Sequence, residues 1–130
     1  MIGLVLVAHA GLATALKDSA EMIVGTIENF AVVEVAPGDR ADDIMARVVT
    51  AVGSSQPDGA IIMTDLFGGT PSNMAMSLLK DGSVEVVTGV NLPMLMEFFS
   101  RRNRLAVSEL AVALQRSGRE GIVVAGELLK

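Results

Sequence analysis

The chain has one histidine, His9, at the end of the apolar run Ile2-Gly3-Leu4-Val5-Leu6-Val7-Ala8. A histidine whose Nδ1–H is held by a carboxylate keeps its Nε2 lone pair exposed, and that nitrogen is then a nucleophile at neutral pH. The best candidate for the carboxylate is Asp65. It follows the apolar run Ala60-Ile61-Ile62-Met63 and lies in the stretch Thr64-Asp65-Leu66-Phe67-Gly68-Gly69-Thr70-Pro71-Ser72-Asn73. Thr70 suits a helix N-cap and Pro71 the first helical position, so the stretch reads as a strand end, a Gly-Gly loop and a helix start. The N–H groups of Ser72 and Asn73, with the loop amides of Gly68 and Gly69, offer an anion such as a phosphoryl group the positive end of a helix dipole. A histidine nucleophile, an orienting carboxylate and anion-binding amides together support phosphoryl transfer through a phosphohistidine, with catalysis by positioning and electrostatics. Asp65 also repels the phosphate, and the amides have to offset that repulsion. Each part has a plainer reading as well. His9 reads equally as a surface or cap residue, Asp65 as an acceptor of loop N–H bonds, and the stretch as an ordinary capped turn, since it is neither a Walker A loop nor GxGxxG.

Composition narrows the chemistry. A chain of 130 residues is most simply one domain with a single core of useful size. Hydrophobic residues make up 51% and aromatic ones 3%, so the core is aliphatic and includes many of the 8 Met. Cysteine is absent, which removes disulfides, thiolate metal sites and cysteine nucleophiles, and a single histidine rules out a multi-histidine metal centre within one chain. No cofactor is called for. A net charge of −5 opposes binding to a polyanion, so nucleic acid is not an expected partner. Apolar runs are strand-sized, far short of the roughly 20 residues of a spanning helix. Met1 to Ala8 lacks a basic leader and a cleavage pattern, so it reads as a first strand and the expected location is cytoplasmic.

Strands alternate with helices along the chain. After the first strand, Leu12, Leu16, Ala20, Ile23 and Val24 recur at helical spacing, and Gly25 is placed to end that helix. Phe30 to Ala36 is a second strand. Pro37-Gly38-Asp39 turns the chain, Asp39 reads as the N-cap, and Ile44, Val48, Val49 and Val52 form the buried stripe of a helix closed by Gly53. The strand at Ala60 to Met63 is third, and the helix opened at Thr70-Pro71 runs to about Leu79. Val84 to Thr88 is a fourth strand. Gly89-Val90-Asn91-Leu92-Pro93 is a turn into a helix whose Met94, Leu95, Phe98 and Phe99 read as core or interface packing, and Arg101, Arg102 and Arg104 read as a solvated break. Val107, Leu110, Ala111 and Leu114 mark a last helix ended by Gly118, and Ile122 to Ala125 is a fifth strand. This order predicts an α/β fold with a doubly wound, mostly parallel five-stranded sheet flanked by helices. Ligands of such sheets sit beyond the carboxyl ends of the strands, where strand order reverses. His9, Asp65 and the turn at Gly89 to Asn91 all stand at such ends.

His9 behind its buried strand, Ala20-Glu21-Met22 with Gly25, Thr64 to Asn73, Thr88-Gly89-Val90-Asn91-Leu92-Pro93-Met94-Leu95 and Gly118-Arg119-Glu120-Gly121 together resemble the mannose-class IIA domains of the bacterial phosphoenolpyruvate-dependent sugar phosphotransferase system. The resemblance spans essentially the whole chain, 1–130, as a single IIA domain with no fused IIB domain. It implies that His9 is phosphorylated on Nε2 by phospho-HPr and passes the group to a IIB protein. Membranes are involved only indirectly, through IIC and IID proteins. Asp65 orients His9, Thr70 and the loop at Leu66, Gly68, Gly69 and Ser72 contact the phosphoryl group, and Ala10 and Asn91 line the pocket. It further implies a homodimer in which the last strand, matched by Ile122 to Ala125, is exchanged and adds antiparallel to the partner's sheet. Two positions depart from the family pattern. Ala10 stands where glycine commonly follows the histidine, so a Cβ narrows the approach to His9. Ser72 stands where a larger residue is often found, so the pocket rim is expected to be more open. The same resemblance accommodates a regulatory IIA protein, sensed by others through its phosphorylation state, or the phosphodonor domain that feeds dihydroxyacetone kinase. A non-catalytic binder of a phosphorylated metabolite is the remaining reading.

Overall fold

The computed structural model describes residues 1–66 and 68–130; Phe67, part of the motif quoted above, lies outside the described residues. The elements run β1 (Gly3–His9), α1 (Leu12–Val24), β2 (Phe30–Val35), α2 (Ala41–Gly53), β3 (Ala60–Thr64), α3 (Thr70–Met76), β4 (Val84–Thr88), α4 (Leu92–Arg101), α5 (Val107–Glu120) and α6 (Ala125–Leu128). The strands form one sheet in the order β2-β1-β3-β4, and every pairing is parallel. β1 and β3 are apolar without alternation because both their faces are covered. Leu4, Leu6, Ala8, Ile61 and Met63 point to one side and pack with Ala13 and Ala20 of α1, Leu95 and Phe98 of α4 and Leu110 and Leu114 of α5. Val5, Val7 and Ile62 point to the other and pack with Ile44 and Val48 of α2 and Ala75 of α3. The residues Met94, Leu95 and Phe98 are buried, in keeping with their reading as packing.

The chain leaves β1 toward β2 on one side and leaves β3 toward β4 on the other, so the switch in strand order falls between β1 and β3. Val7 pairs with Thr64. His9 and Asp65 therefore emerge beside each other on the two sides of that switch, although 56 residues separate them in sequence.

Several expectations change. Among the described residues the sheet has four strands rather than five. Ile122 to Val124 do not pair with it, and the chain continues into the single turn of α6. Asp39 does not cap α2; Arg40 is the N-cap residue, and Asp39 instead accepts the Ala36 amide at 2.8 Å within the turn. Thr70 does not cap α3 either. Gly69 holds that position, and Asn73 N–H donates to its carbonyl at 3.0 Å. α3 stops at Met76 because Ser77, Leu78 and Leu79 donate three residues back, tightening the end into turns before Leu79. Gly118 does not end α5 but lies buried within it. A Cβ there would stand 2.9 Å from Met94 Cε, the flexible end of a side chain on α4. Arg102 is not part of a solvated break: it is 5% exposed. No helix of the described residues is long and apolar enough to cross a membrane.

Candidate functional site

At the switch point, His9 Nδ1 lies 2.8 Å from Asp65 Oδ2. The His9 main-chain amide donates to the same oxygen at 3.0 Å, and the Leu66 amide donates to Oδ1 at 3.0 Å. An ionised carboxylate only accepts, so Nδ1 carries the ring proton and the Nε2 edge is left with its lone pair. Burial pushes the Asp65 carboxyl up, but the His9 amide, the His9 ring and its charge, and a local main-chain amide more than reverse this, so it titrates below its ordinary value of 3.8. Asp65 is 9% exposed at its side chain and His9 is 49% exposed. The orienting group is thus held inside while the ring faces solvent.

Around the ring, the carboxyl ends of β1 and β2 and the start of α2 enclose a cavity of about 400 Å³, lined by His9, Ala10, Val35, Ala36, Ala41, Ile44 and Thr70 among others. Its apolar floor comes from the β2–α2 segment, which the sequence reading assigned no role. The pattern that exposes it is the one that exposed His9, because Pro37 to Asp39 also follows the carboxyl end of a strand. On the other side lies Gly69, where an added Cβ would stand 3.4 Å from His9 Cε1, so the glycine leaves room beside the ring. Thr70 and Gly68 are exposed on the same loop, as is Leu66.

Two candidates do not join this cavity. Ser72 is fully buried and its hydroxyl meets Thr64 Oγ1 at 2.9 Å, so it sits beneath the rim and does not widen it. Asn91 caps α4, accepting the Met94 amide at 2.9 Å, and its Nδ2 donates to the Gly118 carbonyl at 2.9 Å. It belongs to a separate groove between β4 and α5. Of the four amides suggested as anion donors, that of Asn73 is taken by Gly69. Another cavity, of about 620 Å³, lies away from His9, between the end of α1 and α4, and includes Ile27, Phe99 and Arg102. Among the described residues, no cluster of three acidic or histidine side chains is placed to hold a metal ion.

Ala10 has φ 51°, in the left-handed region, with its N–H donating to Val35 O at 2.8 Å. A non-glycine residue there costs about 1–2 kcal/mol, part of which glycine returns as greater flexibility of the unfolded chain. Ala10→Gly is therefore expected to stabilise the fold by about 0.5–1 kcal/mol, seen as a higher urea midpoint at unchanged slope. A midpoint that stays or falls would contradict the strain.

The family model of the PTS system fructose IIA component, EIIA-man, matches residues 3–115. The sorbose-specific EIIA component of Lacticaseibacillus casei is 36% identical over 118 residues, covering 90% of this chain and 86% of that protein. The fructose-specific EIIA component of Bacillus subtilis is 30% identical over 132 residues, covering 100% of this chain and 90% of that protein. A phosphotransferase system component EIIA from Streptococcus agalactiae superposes with a TM-score of 0.90 at 30% identity, covering 98% of this chain and 99% of that one. The chain belongs to the mannose-class EIIA family of the sugar phosphotransferase system.

Proposed function

We propose that the protein is a phosphocarrier in which His9 accepts a phosphoryl group from phospho-HPr and passes it to a IIB protein in the cytoplasm. The observation that carries this reading is the 2.8 Å contact of His9 Nδ1 with a buried, ionised Asp65, which leaves Nε2 as the exposed nucleophile. In the step proposed, the Nε2 lone pair forms the new bond to phosphorus as the bond from phosphorus to the donor nitrogen breaks. No proton need leave Nδ1, and the positive charge that develops on the ring is met by Asp65. In this reading the amides of Gly68 and Gly69 and the Thr70 hydroxyl, on the loop beside the ring, receive the phosphoryl oxygens; Gly68 and Thr70 are exposed. Incubation with phosphoenolpyruvate, enzyme I and HPr should place an acid-labile, base-stable phosphate on the protein. A wild-type chain that takes no label sinks the reading.

The proposed assembly is a homodimer that exchanges the segment Ile122 to Ala125. Two features support it. β4 is an edge strand, and between it and α5 runs a groove of about 420 Å³ lined by Val86, Val87, Ala111 and Val112 among others. Ile122, at the end of that edge, is 76% exposed, and Val123, Val124, Leu128 and Leu129 are exposed beyond it. An edge strand beside a groove of mixed lining, which also includes Glu85, Thr88, Ser108 and Gln115, accepts an added strand, with main-chain bonds giving affinity and alternate side chains filling the groove. The chain is expected to sediment as a dimer, and truncation after Gly121 to yield monomers. A truncated chain that still sediments as an intact dimer rules the exchange out.

A further inference from the structure

Thr64 and Ser72 are both completely buried, and their hydroxyls lie 2.9 Å apart. Neither touches His9. Thr64 immediately precedes Asp65, however, and Ser72 lies in the first turn of α3, three residues after Gly69, where an added Cβ would stand 3.4 Å from His9 Cε1. A neutral pair of this kind adds little net stability, because both hydroxyls give up water to form it, and apolar side chains of the same shape serve the core about as well. What a satisfied buried pair adds is one defined placement of the elements it joins. Thr64 is also held through its backbone. It is in register with Val7 on one side and Thr88 on the other, and its carbonyl accepts the amides of Gly89 at 3.0 Å and Val90 at 3.1 Å. The residue from which Asp65 departs is therefore fixed in the sheet, and its hydroxyl is the link from that fixed point to α3.

We propose that Thr64 and Ser72 are positioning residues for His9. Their hydroxyls clamp α3 to the end of β3, so that the carboxylate holding Nδ1 and the Gly69 backbone facing Cε1 keep a single relative placement. With the clamp, the Nδ1 edge is held by Asp65, the Gly69 backbone stays at a fixed place beside Cε1, and Nε2 points one way. Without it, α3 slides on an apolar contact and the ring samples several orientations. The kinetic consequence rests on the phosphocarrier reading; the ring geometry does not.

The test compares wild type with Thr64→Val/Ser72→Ala, which preserves shape and leaves no hydroxyl unpartnered, and with Thr64→Ser, which keeps the hydroxyl. Because His9 is the only histidine, ¹⁵N spectra of the imidazole report on one ring. The double variant is expected to unfold at the wild-type midpoint, to take up phosphate from phospho-HPr about tenfold more slowly at unchanged KM, and to lose the single Nδ1–H tautomer signature. Thr64→Ser should keep both at their wild-type values. A double variant with wild-type ring shifts overturns the proposal. So does a slower rate that Thr64→Ser shares, or one that accompanies a lowered unfolding midpoint. If wild type takes no phosphate, the phosphocarrier reading falls, and the ring spectra alone decide the clamp.

Discussion

His9→Ala is expected to take up no phosphate from phospho-HPr, and Asp65→Asn to lose roughly 10²–10⁴-fold in rate while remaining folded. The first result follows from there being no second histidine to carry the group. The second follows from the hydrogen bonds around Asp65. Oδ2 accepts both the ring Nδ1–H and the His9 amide, and Oδ1 accepts the Leu66 amide. An asparagine whose oxygen replaces Oδ2 turns its NH₂ toward the Leu66 amide, donor against donor. The flipped amide opposes the His9 amide instead and favours the wrong tautomer of the ring. Either arrangement also removes the negative charge that balances the ring once Nε2 is phosphorylated. The cost in stability is expected to be small, about 1–2 kcal/mol, because one amide loses its acceptor at a site on the rim of the sheet. Rapid-quench phosphorylation with a thermal melt checks both parts. Near-wild-type uptake by Asp65→Asn, or loss of cooperative unfolding, contradicts the assignment.

The direction of the Asp65 shift sets a pH window for that comparison. A carboxyl whose pKa is lower in the folded chain contributes stability that is present above its unfolded value of 3.8 and lost as pH falls through the lower folded value. Asp65 is thus charged throughout the neutral range, and the part of the stability difference between wild type and Asp65→Asn that comes from the carboxylate should shrink as pH falls below about 4.

Arg102→Ala is expected to destabilise the fold by about 3–4 kcal/mol, with a fall in Tm of roughly 10 °C. The guanidinium donates from Nε and Nη2 to Ile2 O at 3.0 and 2.6 Å, from Nη1 to Glu28 O at 2.9 Å and from Nη2 to Asn29 O at 3.3 Å. Its Cζ lies 4.9 Å over the Phe98 ring. One side chain therefore ties the end of α4 to the entry of β1 and to the α1–β2 loop, bonding the Ile2 and Glu28 carbonyls and adding a second donor to Asn29 O, which also accepts the Leu4 amide at 3.0 Å. Truncation takes their guanidinium donors from the Ile2 and Glu28 carbonyls and removes the cover over Phe98. Arg102→Lys should fall between, because an ammonium is a point donor and cannot serve carbonyls on both segments in the guanidinium's fork geometry. Urea unfolding of the three proteins decides it. A cost below about 1 kcal/mol for Arg102→Ala shows that water replaces the guanidinium and that the tie is dispensable. Phosphate uptake by the folded variant should be unchanged, since Arg102 packs at the amino-terminal end of β1 and His9 lies at its carboxyl end.

The helices and strands were legible because their signals are local. Unbroken Val, Leu and Ile runs mark strands covered on both faces, and the spacing of Leu12, Leu16 and Ala20 marks a helix, but its buried side was misplaced: Ala13 and Ala20 are buried while Leu12, Ile23 and Val24, and Val49 of the next helix, are exposed. His9 and Asp65 were legible as a pair only through the rule that ligands gather at carboxyl ends of parallel strands. Caps were less legible. Thr70 and Asp39 are good capping residues by type, but a cap depends on where the backbone turns, and in each case a neighbour took the position.

Residue types and their order by themselves determined an aliphatic, mostly parallel α/β domain with a lone histidine at a strand end and an acidic, glycine-rich turn at another. Burial and contact were decided by the tertiary structure. It drew Arg102 out of a charged run into a nest of carbonyls, turned Ser72 inward to Thr64, spent Asn91 on α4 and α5, and, among the described residues, left Ile122 to Val124 unpaired within their own chain. The physical reason is the same in each case. Whether a polar group faces water or a partner depends on what lies across the sheet or under the helix, and those neighbours are tens of residues away in the chain.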